Sequence, residues 1–300
     1  MTNTNARRVL AALAASAVLA TASTTGTAQA EPSAKADEPV FFVHGYGYDE
    51  GVEGGKDCDN IWGNARKYFT ERGWAAGSLK TVGYYTGDKN CDVSIDGATA
   101  TKDTRIKHIA ADLANHIHDN YTSKGKSVEI VGHSMGGLIG RVALLGSAKG
   151  WDGFPKGKLK VGDLVTLGTP HQGVKEPGKH GDTQWKSMDP DSEFMRVLDA
   201  PENRVSQDWA SGTDWTFAGA DEDETVSGSS AIDKGRHADH KFRYLEGNEH
   251  TVTHSGIRKW YSGKYNLRFW HSSEGESHDT TNGWAPLKAA HNALSENGGW

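Results

Sequence analysis

The order of apolar and polar residues predicts strands that alternate with helices. Short apolar or β-branched runs are typical of strands buried within a sheet. Six such runs are Val40 to Val43, Leu79 to Tyr85, Val128 to Val131, Leu164 to Leu167, Trp215 to Ala218 and Phe242 to Leu245. Helical patterns cover Asn60 to Arg72, Asp103 to Tyr121, Met135 to Leu145 and Pro286 to Leu294. This alternation favours a mostly parallel sheet with helices on both faces.

One long segment, residues 171–214, breaks this alternation. It has little apolar periodicity and much glycine, proline, aspartate and histidine. A segment of this length without a repeat of its own is expected to leave the sheet. We therefore interpret it as a lid or cap.

The amino terminus has the pattern of a secretory signal. Arg7 and Arg8 form a basic region, and the apolar run Val9 to Ala20 is too short to span a bilayer. Ala28 to Ala30 fits the small-residue cleavage pattern. We expect residues 1–30 to be removed and the mature protein to be secreted to the extracellular space. The paired arginines leave open whether export uses the general or the twin-arginine route.

Length and charge limit what the rest of the chain does. After a flexible lead-in at residues 31–38, residues 39–300 suit one domain with a large core. The formal net charge is −6 and no block of lysine or arginine stands out, so we expect no nucleic-acid partner. No later stretch is apolar enough for a membrane span, and we expect a monomer without stable membrane insertion.

The chain contains two cysteines, Cys58 and Cys91. Because a secreted protein meets an oxidising environment, we expect a disulfide between them. Their spacing fits no zinc motif, and we expect neither a metal nor a cofactor.

The strongest chemical signal is the segment Gly132-His133-Ser134-Met135-Gly136. The pattern G-x-S-x-G alone can arise by chance in a glycine-rich chain. Here it directly follows an apolar strand and opens a helix, which is the setting of a nucleophile elbow. We therefore predict Ser134 as a nucleophile and the backbone N–H of Met135 as an oxyanion donor.

A second oxyanion donor is predicted in the loop after the first strand. The run Val40 to Val43 continues into His44, Gly45 and Tyr46. Gly45 lets the backbone turn close to a ligand, so the N–H of Tyr46 can point at the same oxyanion.

Four segments resemble secreted bacterial lipases and esterases of the α/β-hydrolase superfamily. They are Pro39 to Gly45, Gly132 to Gly137, Leu167 to Gly173 and Met188 to Phe194. The resemblance implies an α/β-hydrolase fold, with a mostly parallel sheet, helices on both faces and a small cap insertion. It also implies a serine nucleophile that works with an acid and a histidine, in that chain order.

The acid is expected just after the strand at Trp215 to Ala218, where residues 221–224 are all acidic. Related lipases place an apolar residue three positions after the acid. Val226 gives Asp223 that neighbour, so we favour Asp223 over the alternative, Asp221.

The histidine is expected on a late loop, where His250 and His254 are the candidates. The segment Thr253 to Ile257 looks like the family's late pattern of histidine, any residue, glycine and an apolar residue. We therefore favour His254.

We predict a carboxylic ester hydrolase, a lipase or esterase, acting on a small-molecule or lipid ester. A triacylglycerol lipase is one form of this prediction. The polar composition of residues 171–214 argues against a large apolar lid and leaves short or partly soluble esters open. The acyl chain length and the alcohol stay open as well. The alternatives are an acyltransferase that uses the same triad and a secreted, non-catalytic binding protein of the same fold.

Overall fold

The computed structural model describes residues 38–48, 51 and 53–295. The chain divides into two units, Met1–Glu31 and Pro32–Trp300, and the described residues all belong to the second. The predicted signal at residues 1–30 and nearly all of the predicted lead-in lie outside the described residues.

A single sheet organises the described part of the chain. Its strands are β1 (Val40–Val43), β2 (Leu79–Gly83), β3 (Val93–Ser94), β4 (Val128–His133), β5 (Val161–Leu167), β6 (Asp214–Ala220), β7 (His240–Tyr244), β8 (Tyr265–His271) and β9 (Ser277–Gly283). They lie in the order β3-β2-β1-β4-β5-β6-β7-β8-β9. Neighbours from β3 to β7 pair in parallel, whereas β7–β8 and β8–β9 pair antiparallel. This is the mostly parallel sheet of an α/β hydrolase, and the prediction of the fold class is confirmed.

Helices cover both faces of the sheet. They are α1 (Cys58–Thr70), α2 (Ile106–Asn120), α3 (Met135–Lys149), α4 (Thr183–Ser187), α5 (Glu193–Asp199), α6 (Gly228–Ala231) and α7 (Pro286–Ser295). Helices α2 and α3 contact each other, and α3 packs on β1, β4 and β5. Helices α1 and α7 contact each other, with α1 against β2 and α7 against β5 and β6.

The first strand explains why its sequence is apolar throughout. Successive side chains of a strand point to opposite faces. Phe41 and Val43 belong to the core that contains α2 and α3, whereas Val40 and Phe42 belong to the core that contains α1 and α7. All four side chains are fully buried. A strand covered on both faces therefore loses the alternation of polar and apolar residues that marks a half-exposed strand.

The cap and the sheet edge differ most from the expectation. Within residues 171–214 the structure has the short helices α4 and α5 and several turns of 3₁₀ helix. The turn-rich segment between β2 and α2 contains the two-residue strand β3, which no apolar run marks in the sequence. The hairpin of β8 and β9 was not predicted, because β9 has the polar sequence SHDTTNG and is held by pairing with β8.

The disulfide predicted between Cys58 and Cys91 is confirmed. It joins the first residue of α1 to the turn region after β2. Among the helices of the described ranges, none combines the length and the apolar content that crossing a membrane requires.

Candidate active site

Ser134 lies between β4 and α3, in the tight turn that the sequence predicts. Its backbone has φ +54°, a value that is rare for residues other than glycine. A Cβ on Gly136 would lie 2.1 Å from the carbonyl oxygen of Val43, so only glycine fits there. The turn therefore brings the start of α3 directly against β1, and the hydroxyl of Ser134 stands at the carboxyl end of the sheet.

Ser134, His254 and Asp223 form one hydrogen-bonded chain. The Nε2 atom of His254 lies 2.9 Å from Oγ of Ser134, and its Nδ1 lies 2.8 Å from Oδ2 of Asp223. The other oxygen of Asp223 accepts from the backbone N–H groups of Thr225 and Val226, each at 2.8 Å. Asp223 has a side chain only 1% exposed, so its orientation is fixed by the protein rather than by solvent.

The alternatives weighed for these two positions lie elsewhere. The carboxylate of Asp221 accepts from Nε of Arg243 at 2.6 Å. The ring of His250 stacks on Trp260, with centroids 4.5 Å apart. Of the candidate acids and histidines, the structure therefore brings only Asp223 and His254 into the chain with Ser134.

The end of β5 shapes the space for this chain of residues. Gly168 has φ +59°, and a Cβ there would lie 3.2 Å from Oδ2 of Asp223 and 3.5 Å from Nδ1 of His254. The hydroxyl of Thr169 donates to the carbonyl oxygen of Ser134 at 2.9 Å. In the sequence, the segment Leu167 to Gly173 is notable only for its resemblance to lipases. No pattern in the sequence predicts the contacts of Gly168 or Thr169.

The two predicted oxyanion donors flank Ser134. A Cβ on Gly45 would lie 2.6 Å from Cβ of Ser134, so the backbone that leads to Tyr46 passes directly beside the nucleophile. Met135 is the first residue of α3, where backbone N–H groups have no partner within the helix. Both N–H groups are thus near the serine, and the helix end adds positive partial charge.

A buried network anchors the loop that carries Tyr46. Nε2 of His44 lies 2.9 Å from Oδ2 of Asp88, and the same oxygen accepts from the backbone N–H groups of Tyr84 and Tyr85. Burial alone would raise the pKa of Asp88. The hydrogen bonds outweigh this effect and hold the pKa below its ordinary value, and the bond from His44 contributes most among them. The hydroxyl of Tyr84 donates to the carbonyl oxygen of His44 at 2.8 Å. Asp88 and Tyr84 are not among the site residues predicted from the sequence. The one signal in the sequence is the turn-forming composition around Asp88, with Gly87 and Asn90 close by.

His133, the residue before the nucleophile, contacts the histidine of the chain. Its Nε2 lies 2.7 Å from the backbone carbonyl oxygen of His254. Burial, together with the nearby His254 and Arg258, holds the pKa of His133 well below its ordinary range. The ring is therefore neutral at pH 7 and can use its one N–H to hold the backbone of His254.

Ser134 opens into a cavity of about 450 Å³, within the range typical of small-molecule sites. Side chains from the loop after β1, from the cap and from the loop after β7 line it, among them Tyr46, Trp185 and His254. A larger cavity of about 760 Å³ lies between α2 and the cap, and Phe194 and Val197 line it. Ser134 is not among the residues that line the larger cavity.

A hydroxyl beside an imidazole that is held by a carboxylate is the arrangement in which serine becomes a nucleophile at neutral pH. The fold defines the class of the protein as an α/β hydrolase. A family model described as "PGAP1-like alpha/beta domain" matches residues 35–184. The chain belongs to this family.

The similar solved structures are distant. The mature lipase BlEst2 of Bacillus licheniformis is 16% identical, with a TM-score of 0.48, over 77% of this chain and 89% of that chain. Lipase B of Aspergillus fumigatus is 15% identical, with a TM-score of 0.46, over 75% of this chain and 50% of that chain. The phospholipase PlaB of Legionella pneumophila is 16% identical, with a TM-score of 0.41, over 60% of this chain and 38% of that chain. No curated protein sequence matches the chain significantly.

Proposed function

We propose that the chain is a secreted serine hydrolase that cleaves carboxylic esters with Ser134 as nucleophile, His254 as base and Asp223 as the orienting acid. The observation that carries the proposal is the hydrogen-bonded chain from Ser134 through His254 to the buried Asp223. We extend the same proposal to the arrangement of the chain, with a signal at residues 1–30 and a catalytic domain at residues 39–300.

The reaction begins when Oγ of Ser134 attacks the ester carbonyl carbon while Nε2 of His254 takes the hydroxyl proton. Asp223 holds the Nδ1–H side of the ring and stabilises the imidazolium that forms. The tetrahedral intermediate collapses, and His254 gives the proton to the leaving alcohol. Water then attacks the acyl-enzyme with His254 again as base, so that the acid leaves and Ser134 is restored.

The developing negative charge on the carbonyl oxygen needs donors that are already in place. The N–H groups of Tyr46 and Met135 are proposed for this role, because Gly45 adjoins Ser134 and Met135 opens α3. Losing one such donor lowers kcat by about 10²- to 10³-fold in other hydrolases. The network of His44, Asp88 and Tyr84 supports this proposal by fixing the loop before the substrate arrives.

Secretion is supported by the disulfide between Cys58 and Cys91, since disulfides persist mainly in oxidising compartments. The substrate is proposed to be a short or partly soluble ester rather than a long-chain triacylglycerol. The cavity beside Ser134 is moderate in size, and charged residues such as Lys56 and Lys179 line it.

The test is ester hydrolysis by the purified protein and by Ser134→Ala, with p-nitrophenyl esters of increasing acyl length. We expect the variant to lose at least about 10⁴-fold in kcat, because the nucleophile is gone. A fluorophosphonate probe should label the wild type once and should leave Ser134→Ala unlabelled. Wild-type turnover in the variant would contradict the proposal, and so would a wild-type protein that neither hydrolyses any ester nor takes the label.

A further inference from the structure

The cavity beside Ser134 is rich in positive charge. Among the described side chains that line it, Lys56, Lys179 and Arg258 are cationic, and Glu224 is the one carboxylate. Lys179 pairs outside the cavity with Glu176, at 3.1 Å. The chemistry proposed for Ser134 uses no fixed cation, so the presence of Arg258 in this lining calls for another explanation.

Arg258 is a partly buried cation of this group. It ends a short 3₁₀ helix, Gly256–Arg258, that begins two residues after His254. Burial lowers the pKa of its guanidinium to about 10, so it is still charged at neutral pH. Arg258 is also close enough to His133 to depress the pKa of that ring electrostatically. The guanidinium thus lies near the catalytic histidine in sequence and near the nucleophile segment in space.

Within the described residues, the guanidinium of Arg258 has a hydrogen bond to the backbone but no counter-charge. Nη1 of Arg258 donates to the carbonyl oxygen of Ile61 at 2.7 Å. Within residues 38–48, 51 and 53–295, this hydrogen bond is the one polar contact of the Arg258 side chain, and no carboxylate forms an ion pair with it. Partial burial of a cation without a counter-charge carries a desolvation penalty, and a bound anion would offset that penalty. The planar fork of arginine is suited to bind the two oxygens of a carboxylate or a phosphate.

Glu224 does not neutralise Arg258. Its Oε2 accepts from the backbone N–H of His254 at 3.2 Å, and among the described residues no ion pair joins Glu224 to Arg258. The lining of the cavity therefore presents a partly buried positive charge that is available to a bound molecule.

We propose that Arg258 binds an anionic group of the substrate, a carboxylate or a phosphate, so that the site prefers esters that carry a negative charge close to the scissile bond. This inference rests on the proposed function, because it names the substrate class of the same site. A molecule that fills a cavity of about 450 Å³ can reach both Ser134 and Arg258, which line it together.

The test compares esters that differ in charge. One pair is the butyryl ester of 4-hydroxybenzoate and that of the neutral 4-hydroxybenzamide. The second pair is 1-butyrylglycerol 3-phosphate and 1-butyrylglycerol, so the two pairs distinguish a carboxylate from a phosphate. The measured quantity is the ratio of kcat/KM for the anionic ester to that for the neutral ester. Intrinsic reactivity cancels, because the same two esters are compared between wild type and variants.

In at least one pair we expect Arg258→Met to lower this ratio by about tenfold or more, since a charge-assisted contact is lost. Arg258→Lys keeps the charge, so the ratio should stay close to that of the wild type. Arg258→Gln removes the charge, so the ratio should fall as in Arg258→Met. These two variants replace Arg258→Met in the test if the methionine variant does not fold. Lys259→Met is the matched control, because Lys259 is the exposed neighbouring cation outside the cavity, and it should leave the ratio as in the wild type.

An unchanged ratio in both pairs, with neutral esters still hydrolysed, would overturn this inference and leave the proposed function standing. A lowered ratio in Lys259→Met equal to that in Arg258→Met would also overturn it, since a general loss of surface charge would then explain the effect. If the wild type hydrolysed p-nitrophenyl esters but none of these four esters, this inference alone would fail. Only a wild type that hydrolysed no ester and took no fluorophosphonate label would remove the proposed function as well.

Discussion

At the scale of single residues, the candidate site depends on which of two nearby carboxylates faces His254. Asp221 and Asp223 are two positions apart, and both follow β6 directly. Asp221 pairs with Arg243, whereas Asp223 contacts Nδ1 of His254 and receives two backbone N–H groups. The sequence favoured Asp223 only through resemblance, because the direction of each side chain depends on how the loop after β6 turns.

Asp223→Asn should lower kcat for p-nitrophenyl esters by about 10⁴-fold, because an amide that donates to Nδ1 holds the wrong imidazole tautomer. Asp221→Asn is the matched control. It loses a partly exposed ion pair worth about 0–1 kcal/mol and should keep kcat within a few-fold of the wild type. Steady-state kinetics of both variants decides the assignment, and a large loss in Asp221→Asn alone would reverse it.

At the scale of elements, α2 combines a well-predicted apolar stripe with an acid in an unfavourable place. The apolar side chains Ile106, Ile109, Leu113 and Ile117 are buried, as their helical spacing predicts. Asp112 lies beside this stripe and is partly buried. Burial and the nearby Asp96 raise the pKa of Asp112 to about 6.

Asp112 should make stability fall as pH rises. The pKa of Asp112 in the folded state, about 6, is above the ordinary aspartate value of about 4. The native protein therefore binds more protons between pH 4 and pH 6 than the unfolded chain does. The free energy of unfolding therefore decreases from about pH 4 to pH 6 and stays lower above that.

Asp112→Asn removes this penalty and should stabilise the protein at pH 8 by about 1 kcal/mol, after allowance for partial exposure. The corresponding rise in Tm is about 2–4 °C. At pH 4 the variant and the wild type should unfold at nearly the same temperature. Thermal unfolding at both pH values measures the difference, with Asp152→Asn, an exposed acid, as the control; an equal shift at pH 4 and pH 8 would contradict the explanation.

The cap, residues 171–214, is the part of the chain whose helices and contacts the sequence predicts least. Its helix α4 begins at Thr183, where Asp182 caps the helix by accepting from the N–H of Trp185. The same carboxylate accepts from the hydroxyl of Tyr46 at 2.5 Å, and the Tyr46 ring packs against Trp185. The cap is therefore attached to the loop proposed to bind the oxyanion. No periodicity in residues 171–214 could predict these contacts, because they are made between segments rather than within one.

At the scale of the whole molecule, the disulfide ties α1 to the region that holds the loop after β1. Cys91 follows Asp88 by three residues, and Asp88 anchors His44. The bond closes a loop with a sequence separation of 33. In the chain-entropy model, such a loop contributes about 3–4 kcal/mol to stability.

Replacing both cysteines by serine should lower the free energy of unfolding by about that amount, 3–4 kcal/mol, measured by urea denaturation. Ester hydrolysis at 25 °C should survive if the fold stays populated, with a lower kcat if the anchor at Asp88 loosens. Wild-type protein treated with a reductant should move in the same direction. Unchanged stability in the double variant would show that the bond constrains nothing in the unfolded chain.

The sequence by itself determined the class of fold, the strands β1, β2 and β4 to β7, the four long helices and the disulfide. These features depend on local patterns, since a doubly covered strand must be apolar and a helix must present one apolar face. The sequence also identifies Ser134 as the candidate nucleophile, because the turn between a strand and a helix that holds a glycine-flanked serine is specified by neighbouring residues.

Only the tertiary structure decided the features that depend on distant segments. The polar strand β9 exists because β8 offers it hydrogen-bonding partners. Asp223 rather than Asp221 reaches His254, and Asp88 reaches His44, because the ends of separate strands meet at one edge of the sheet. Arg258 lines the cavity of Ser134 for the same reason. Contacts of this kind join residues far apart in the chain, and no short-range pattern carries them.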